Sequence, residues 1–270
     1  MSSPRLPAEL LDHVVDFLHN VEYALRNCCL VSKSWIPRTR QHIFASIQFE
    51  TRDELESWRK AFPDPLASPG HYTKTLFIGS LHFATAMDAE TGGWIRGFSR
   101  VVVLKVEGHR WFRDVDEPEA TLVPFYGFSP TIRSLHVEIQ TIPASQIFDL
   151  ILSFPLLEDL TVVTFGKFAN DKEDPGGLPT AVLPPTPPMN GSLVLVQWDG
   201  LKSLARWLLS TPRGINFQKL TLTLFDGEDL SLAAALVEGC SHTLESLDVC
   251  CEYLGMFIRH YIRIDNLLHF

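Results

Sequence analysis

A chain of 270 residues suits one large or two small domains, and at 46% apolar it can bury a substantial core. Charged residues make up an ordinary 20%, and the net charge of −9 argues against phosphate-dominated nucleic-acid binding, which needs clustered Lys and Arg. No apolar run approaches the ~20 residues that span a bilayer, and MSSPRLPAEL lacks the apolar core and small-residue cleavage site of a secretion signal, so a cytoplasmic or nuclear location is expected.

The first elements lie between Leu6 and Trp35. Pro7 suits the first turn of a helix, where its missing N–H costs nothing, and Glu9 follows where the helix dipole favours a carboxylate. Leu10, Leu11, Val14, Val15, Phe17 and Leu18 recur at helical spacing until His19-Asn20 breaks the pattern. A second helical run carries Leu25, Cys28, Cys29, Leu30 and Val31 up to Trp35, and Pro37 opens a third short helix that takes Ile43 and Phe44 inward. These apolar residues cover more than one stripe of each helix. A segment this short has little interior in which to hide them, and exposed apolar surface on that scale marks a partner site.

Leu6-Pro7, Glu9-Leu10, Val14, Phe17-Leu18, Leu25, Cys28, Val31-Ser32 and Trp35 together resemble an F-box, the helical motif that holds substrate receptors onto the adaptor subunit of cullin-RING ubiquitin ligases. The resemblance covers residues 4–46. Its most telling piece is Val31-Ser32-Lys33-Ser34-Trp35, because F-boxes commonly carry a Val-Cys/Ser-x-x-Trp run there. It implies an adaptor face made of Leu6, Pro7, Leu10, Val14, Leu18, Leu25, Val31 and Trp35. An alternative role for Trp35 is to lock the motif onto the segment that follows.

From Phe44 onward one short pattern returns: an apolar residue, two others, Leu or Ile, one other, an apolar residue. Its central positions are Ile47, Leu76, Leu104, Leu135, Leu160, Leu193, Leu220 and Leu247, spaced 25 to 33 residues apart. Periods of this size mark repeat architectures in which each unit buries its apolar face by stacking on its neighbours. The spacers read as helices. Thr51 and Glu54 form a capping box ahead of Leu55, Trp58 and Phe62, which Pro63 ends. Ile147, Leu150, Ile151 and Phe154 precede Pro155; Leu201, Leu204, Trp207 and Leu208 precede Pro212; Leu230, Ala233, Leu236 and Val237 precede Gly239.

This region, residues 47–252, resembles leucine-rich repeats. The resemblance implies an α/β chain in which a three-helix F-box is followed by an irregular leucine-rich-repeat-like solenoid with a parallel strand array. The family's turn Asn or Cys is replaced here by Arg52, His109, Gln140, Phe165, Phe225 and Glu252, so its polar ladder is absent. A doubly wound α/β sheet is the rival account. Residues 167–192 carry an acidic Gly-rich run and Pro184-Pro185-Thr186-Pro187, and read as an exposed loop; residues 113–119 form a second acidic loop. Asn190-Gly191-Ser192 and the pairs Gly92-Gly93 and Gly176-Gly177 read as turns. The tail, residues 253–270, is apolar and either folds back as a cap or ends the chain bare.

Local signatures of chemistry are missing. Cys28-Cys29 and Cys250-Cys251 are adjacent pairs and Cys240 is alone, so buried free thiols are expected rather than a CxxC clip. The ten histidines make no HxH, HExxH or HxxxH set with a third ligand, and no GxSxG, GxGxxG or GxxxxGK is present. No catalytic residue, cofactor or metal is therefore expected. The resemblances imply a substrate-receptor subunit of an SCF-type ligase, with the adaptor and an unidentified target protein as partners. A non-degradative scaffold, a small α/β enzyme and a truncated gene product are the alternatives. The inner face of the strand array would carry Ser46, Gln48, Lys105, His136, Glu138, Thr161, Thr221, Thr223 and Asp248, a mixed polar set that names no ligand.

Overall fold

A computed structural model describes residues 7–79, 89–108, 122–126, 128–139, 144–163, 187, 189–196, 202–211, 214–224, 227–252 and 259–265. Pro7 stands at the N-cap of α1 (Ala8–Phe17) rather than inside its first turn, with Glu9 following in that turn. The turn at residues 18–20 leads to α2 (Glu22–Val31). Ser32 then caps a short 3-10 turn, Lys33–Trp35, by accepting the N–H of Ser34, and α3 (Ile36–Ile43) begins with Pro37 in its first turn. The shared interior of these helices is small: Val15, Leu25, Cys28 and Thr39 are buried, and the Thr39 hydroxyl donates to the Trp35 carbonyl at 2.8 Å.

After α3 the chain enters a sheet. Its strands are β1 (Ser46–Phe49), β2 (Thr75–Ile78), β3 (Val103–Gly108), β4 (Ser134–Ile139), β5 (Asp159–Val163), β6 (Ser192–Val196), β7 (Lys219–Leu224), β8 (Ser246–Glu252) and β9 (Arg259–Asp265). Each pairs with the next in chain order; β1 to β8 run parallel and β9 returns antiparallel to β8. A doubly wound sheet reverses its strand order at a switch point. This order never reverses, so the rival topology is set aside. Residues 259–265 of the apolar tail thus fold back onto the sheet edge.

The register explains the repeated pattern. Ile47, Leu76, Leu104, Leu135, Leu160, Leu193, Leu220 and Leu247 are aligned partners in one row across eight strands. Two residues on, Phe49, Ile78, Val106, Val137, Val162, Leu195, Leu222 and Val249 make a second row. Strand side chains alternate between faces, so both rows look the same way and are buried, with only Leu247 and Val249 partly covered. Burying each such side chain contributes about 1.5–3 kcal/mol.

Parallel neighbours need a crossover, and here the crossovers supply the cover. They contain α4 (Arg52–Ala61), α5 (Ala89–Ile95), a 3-10 turn Val123–Phe125, α6 (Ala144–Leu152), α7 (Lys202–Ser210) and α8 (Gly227–Gly239). Leu55, Ile95, Phe125, Ile147, Leu150, Leu204, Leu208 and Leu236 from these segments join both strand rows in one continuous core. The capping box of α4 is formed on both sides, Thr51 taking the Glu54 N–H and Glu54 taking backbone N–H in return. Among the described residues, no helix covers the opposite face in this way, and its side chains from Ser46 to Asp248 are mostly exposed or half-buried.

Backbone polar groups also repeat at the strand starts. The Ala45 carbonyl accepts from both Lys74 and Thr75 N–H, at 2.8 and 3.0 Å. The carbonyls of Lys74, Val102, Arg133, Gly191 and Gln218 do the same for the next strand in turn. Side chains add to this. Asp159 Oδ1 accepts the Ser192 N–H and hydroxyl at 2.7 and 2.8 Å, and the Thr131 hydroxyl donates to the Val101 carbonyl at 2.8 Å. Lateral polar links therefore stand before the strands, where a leucine-rich repeat would put its Asn or Cys after them.

Three readings change. Gly92-Gly93 lies inside α5 rather than in a turn, Ser192 of Asn190-Gly191-Ser192 begins β6, and Leu230 is 51% exposed rather than part of the core face of α8. His109, Gln140, Phe165 and Phe225, the acidic loop at 113–119, Gly176-Gly177 and residues 164–186 and 188 lie outside the described residues; Pro187 and Met189 beside them are buried. No described helix is long and apolar enough to cross a membrane.

A Cβ at Gly92 or Gly93 would meet nothing within 4 Å. Helical Gly costs about 0.5–1 kcal/mol against Ala, so Gly92→Ala and Gly93→Ala should each raise unfolding free energy by about that amount in urea melts. At Gly191 a Cβ would lie 2.3 Å from Asp159 Oδ1. Gly191→Ala should lower stability by about 1–3 kcal/mol in the same measurement.

Candidate partner-binding surface

Helix α1 carries two apolar stripes. Leu11, Val15 and Leu18 turn inward and are buried or half-buried, whereas Leu10, Val14 and Phe17, one position earlier at the same spacing, are exposed. On α2, Leu25 and Cys28 turn inward, while Tyr23 and Leu30, two turns apart, share an outer line with Val31 beside it. Leu10, Val14, Phe17, Val21, Tyr23, Leu30 and Val31 are each between 50% and 87% exposed. Scattered surface apolar residues are normal, but seven within residues 10–31 give each of the two helices an exposed apolar line of the kind found at interfaces.

The residues expected on the adaptor face divide. Pro7, Leu10, Val14 and Val31 are exposed; Leu18 and Trp35 are half-buried. Leu25 is only 1% exposed and belongs to the interior of the helical unit, because its position on α2 matches that of Cys28 rather than of Leu30. Leu6 lies outside the described residues. Phe17, Tyr23 and Leu30 are the most exposed members of the patch and were missing from that set. The signal for them was the second apolar stripe itself.

The patch rests on a charged clasp. Asp16 accepts two hydrogen bonds from Arg38, Nε to Oδ1 and Nη2 to Oδ2, both at 2.6 Å, and His42 Nε2 lies 2.7 Å from Oδ1. This bidentate pair ties α1 to α3 with fixed geometry. The Arg38 hydrogen bonds, then that of His42, hold the Asp16 carboxyl far below the usual carboxylate range, and Asp16 in turn raises the Arg38 guanidinium. Phe44 packs edge-on against Trp58 of α4 with ring centroids 6.0 Å apart, joining the helical unit to the sheet layer.

Elsewhere, the open sheet face holds exposed Ser46, Gln48 and Lys105, half-buried His136, Glu138, Thr161, Thr221 and Asp248, and buried Thr223. A cleft of about 440 Å³ beside α4 and α5 is lined by Arg59, Lys60, Pro63, Pro65, Gly93 and Trp94. Two of its residues are already engaged: Arg59 Nη1 donates to the Thr91 hydroxyl at 2.9 Å and Trp94 Nε1 to the Phe62 carbonyl at 2.8 Å. Of the cysteines, Cys28 and Cys240 are buried and Cys29 and Cys250 half-buried, all as free thiols, and burial pushes the Cys240 thiol up to about 11. No family model, curated protein or solved structure matches this chain.

A carboxyl whose folded pKa is depressed stabilises above its ordinary pKa and loses that contribution as pH falls. The Asp16 clasp should therefore act fully above about pH 4 and fade below it. Thermal melts of the native chain and of Asp16→Asn should differ most at pH 7, begin to approach each other below about pH 4, and converge only well below pH 3. Thiolate attack on a disulfide reagent should be slower at Cys28 and Cys240 than at Cys29 and Cys250, read by peptide mapping after timed quenching.

Proposed function

We propose that this chain is the substrate-receptor subunit of an SCF-type cullin-RING ubiquitin ligase. In this reading residues 4–46 are an F-box that docks on the ligase adaptor, and residues 47–252 form an irregular leucine-rich-repeat-like solenoid that binds the target protein. The observation that carries the reading is the outer apolar stripe of α1 and α2, which the small interior beneath it leaves in water. The row of parallel strands in chain order, with helical cover on one face and mixed polar residues on the other, supports the solenoid part.

Physically the molecule is a bridge. No bond is made or broken on it; rate comes from raising the effective concentration of target near the ligase. The docking stripe and the open sheet face belong to different layers, so both can be engaged at once. Rigidity of the link then decides how well the target is presented, and the Asp16–Arg38 clasp and the Phe44–Trp58 contact are its fixed points.

Exposed side chains can be changed without unfolding the chain, which makes the docking stripe testable. Leu10→Ser with Phe17→Ser should weaken binding to the purified adaptor about tenfold or more by calorimetry, with the melting temperature unchanged. Leu25→Ala should behave in the opposite way, costing about 2–5 kcal/mol of stability through its cavity. Adaptor binding undiminished by the double substitution refutes the proposal.

A further inference from the structure

On the open face of the sheet three side chains with metal-ligating atoms converge. Glu107 of β3 and Glu138 of β4 are aligned partners, and His136 precedes Glu138 by two residues, so all three point to the same side. His136 Nε2 is 3.5 Å from Glu138 Oε2 and 3.9 Å from Glu107 Oε1, and a ligand atom from each of the three residues lies within 4.8 Å of the other two. Neither separation is a good hydrogen bond, and Nε2 is buried with no hydrogen-bond partner. A buried polar atom left so costs about 1–3 kcal/mol, and aligned like charges on neighbouring strands add to the cost.

We propose that Glu107, His136 and Glu138 bind a divalent transition-metal ion of the zinc type. Ligand atoms about 2.1 Å from a tetrahedral zinc stand about 3.4 Å apart, close to the 3.5 Å seen here, and the 3.9 Å pair needs a shift of about half an ångström. The cation would give the orphaned nitrogen its partner and turn the repulsion of the carboxylates into shared attraction. Each carboxylate has two oxygens, so one can serve the metal while the other keeps further contacts. The imidazole selects zinc, copper or nickel over magnesium and calcium, which prefer all-oxygen shells. Three protein ligands leave a coordination position open towards the exposed side of the sheet, where water or a partner's side chain can complete the shell. Exposed Lys105, paired with His136 across β3 and β4, is the nearby positive charge that opposes binding. The site does not depend on the ligase reading.

The test is calorimetric titration of the full, chelator-treated chain with zinc chloride, with the His136→Ala chain as the control for binding at the free thiols. One zinc per chain is expected, at micromolar dissociation constant or tighter, unaffected by excess magnesium or calcium. His136→Ala should weaken this binding by about a hundredfold, and Glu107→Gln and Glu138→Gln each by about tenfold. Zinc should also raise the melting temperature of the native chain and leave that of His136→Ala unmoved. Zinc uptake that is equal in the native chain and His136→Ala overturns the site, as does the absence of any zinc-dependent rise in melting temperature. Calcium binding as tight as zinc overturns the imidazole-led assignment. If His136→Ala fails to fold, Glu107→Gln with Glu138→Gln, which keeps shape and hydrogen-bonding capacity, decides in its place.

Discussion

Burial on one face only is the constraint from which this architecture follows. A strand of four to seven residues cannot hide its apolar side chains alone. Here each row of Leu, Ile, Val and Phe is walled by the same row on neighbouring strands and roofed by the apolar side chains of the described crossover segments. Ile47 to Leu247 form one unbroken line because every crossover returns the chain in register. The doubled hydrogen bond at successive strand starts explains how register survives crossovers of unequal length. It uses the backbone, except from β5 to β6, where the Glu158 carbonyl accepts from Gly191 and the Asp159 carboxylate takes the Ser192 N–H. Among the described residues the crossovers vary, from the helix α8 to the 3-10 turn Val123–Phe125 before β4.

The N-terminal helices solve a different problem. Their interior is too small to supply much cohesion, and polar geometry stands in for it: the Asp16–Arg38 fork, the Thr39 hydroxyl on the Trp35 carbonyl and the Ser32 cap. Such contacts orient helices without consuming apolar surface. The outer stripe of α1 and α2 is thereby left available, and the helical unit is held at a set angle to the sheet layer through Phe44 and Trp58.

Much of the fold was legible in the residues. The strand positions were, because an apolar side chain every second residue around a Leu leaves a period-2 trace that repeats with the unit. The capping box at Thr51 and the helix faces at Leu55, Ile147 and Leu204 were legible for the same reason. The register at Gly92-Gly93 was not, since Gly inside a helix carries no local mark that separates it from a turn. The burial of Leu25 was not legible, because inner and outer stripes are both apolar, and only packing tells them apart. The Glu107, His136 and Glu138 cluster has no local motif because its members come from two strands about 30 residues apart in the chain. It was nonetheless latent: the step from Leu104 to Leu135 also carries Glu107 onto Glu138.

The reversed direction of β9 interrupts the parallel array. A further strand-and-helix unit can join a parallel array only against an edge of matching polarity, and β9 covers that edge on β8 with a strand of opposite sense rich in Arg. A unit that paired as β1 to β8 do would find no parallel edge on β8 to continue from.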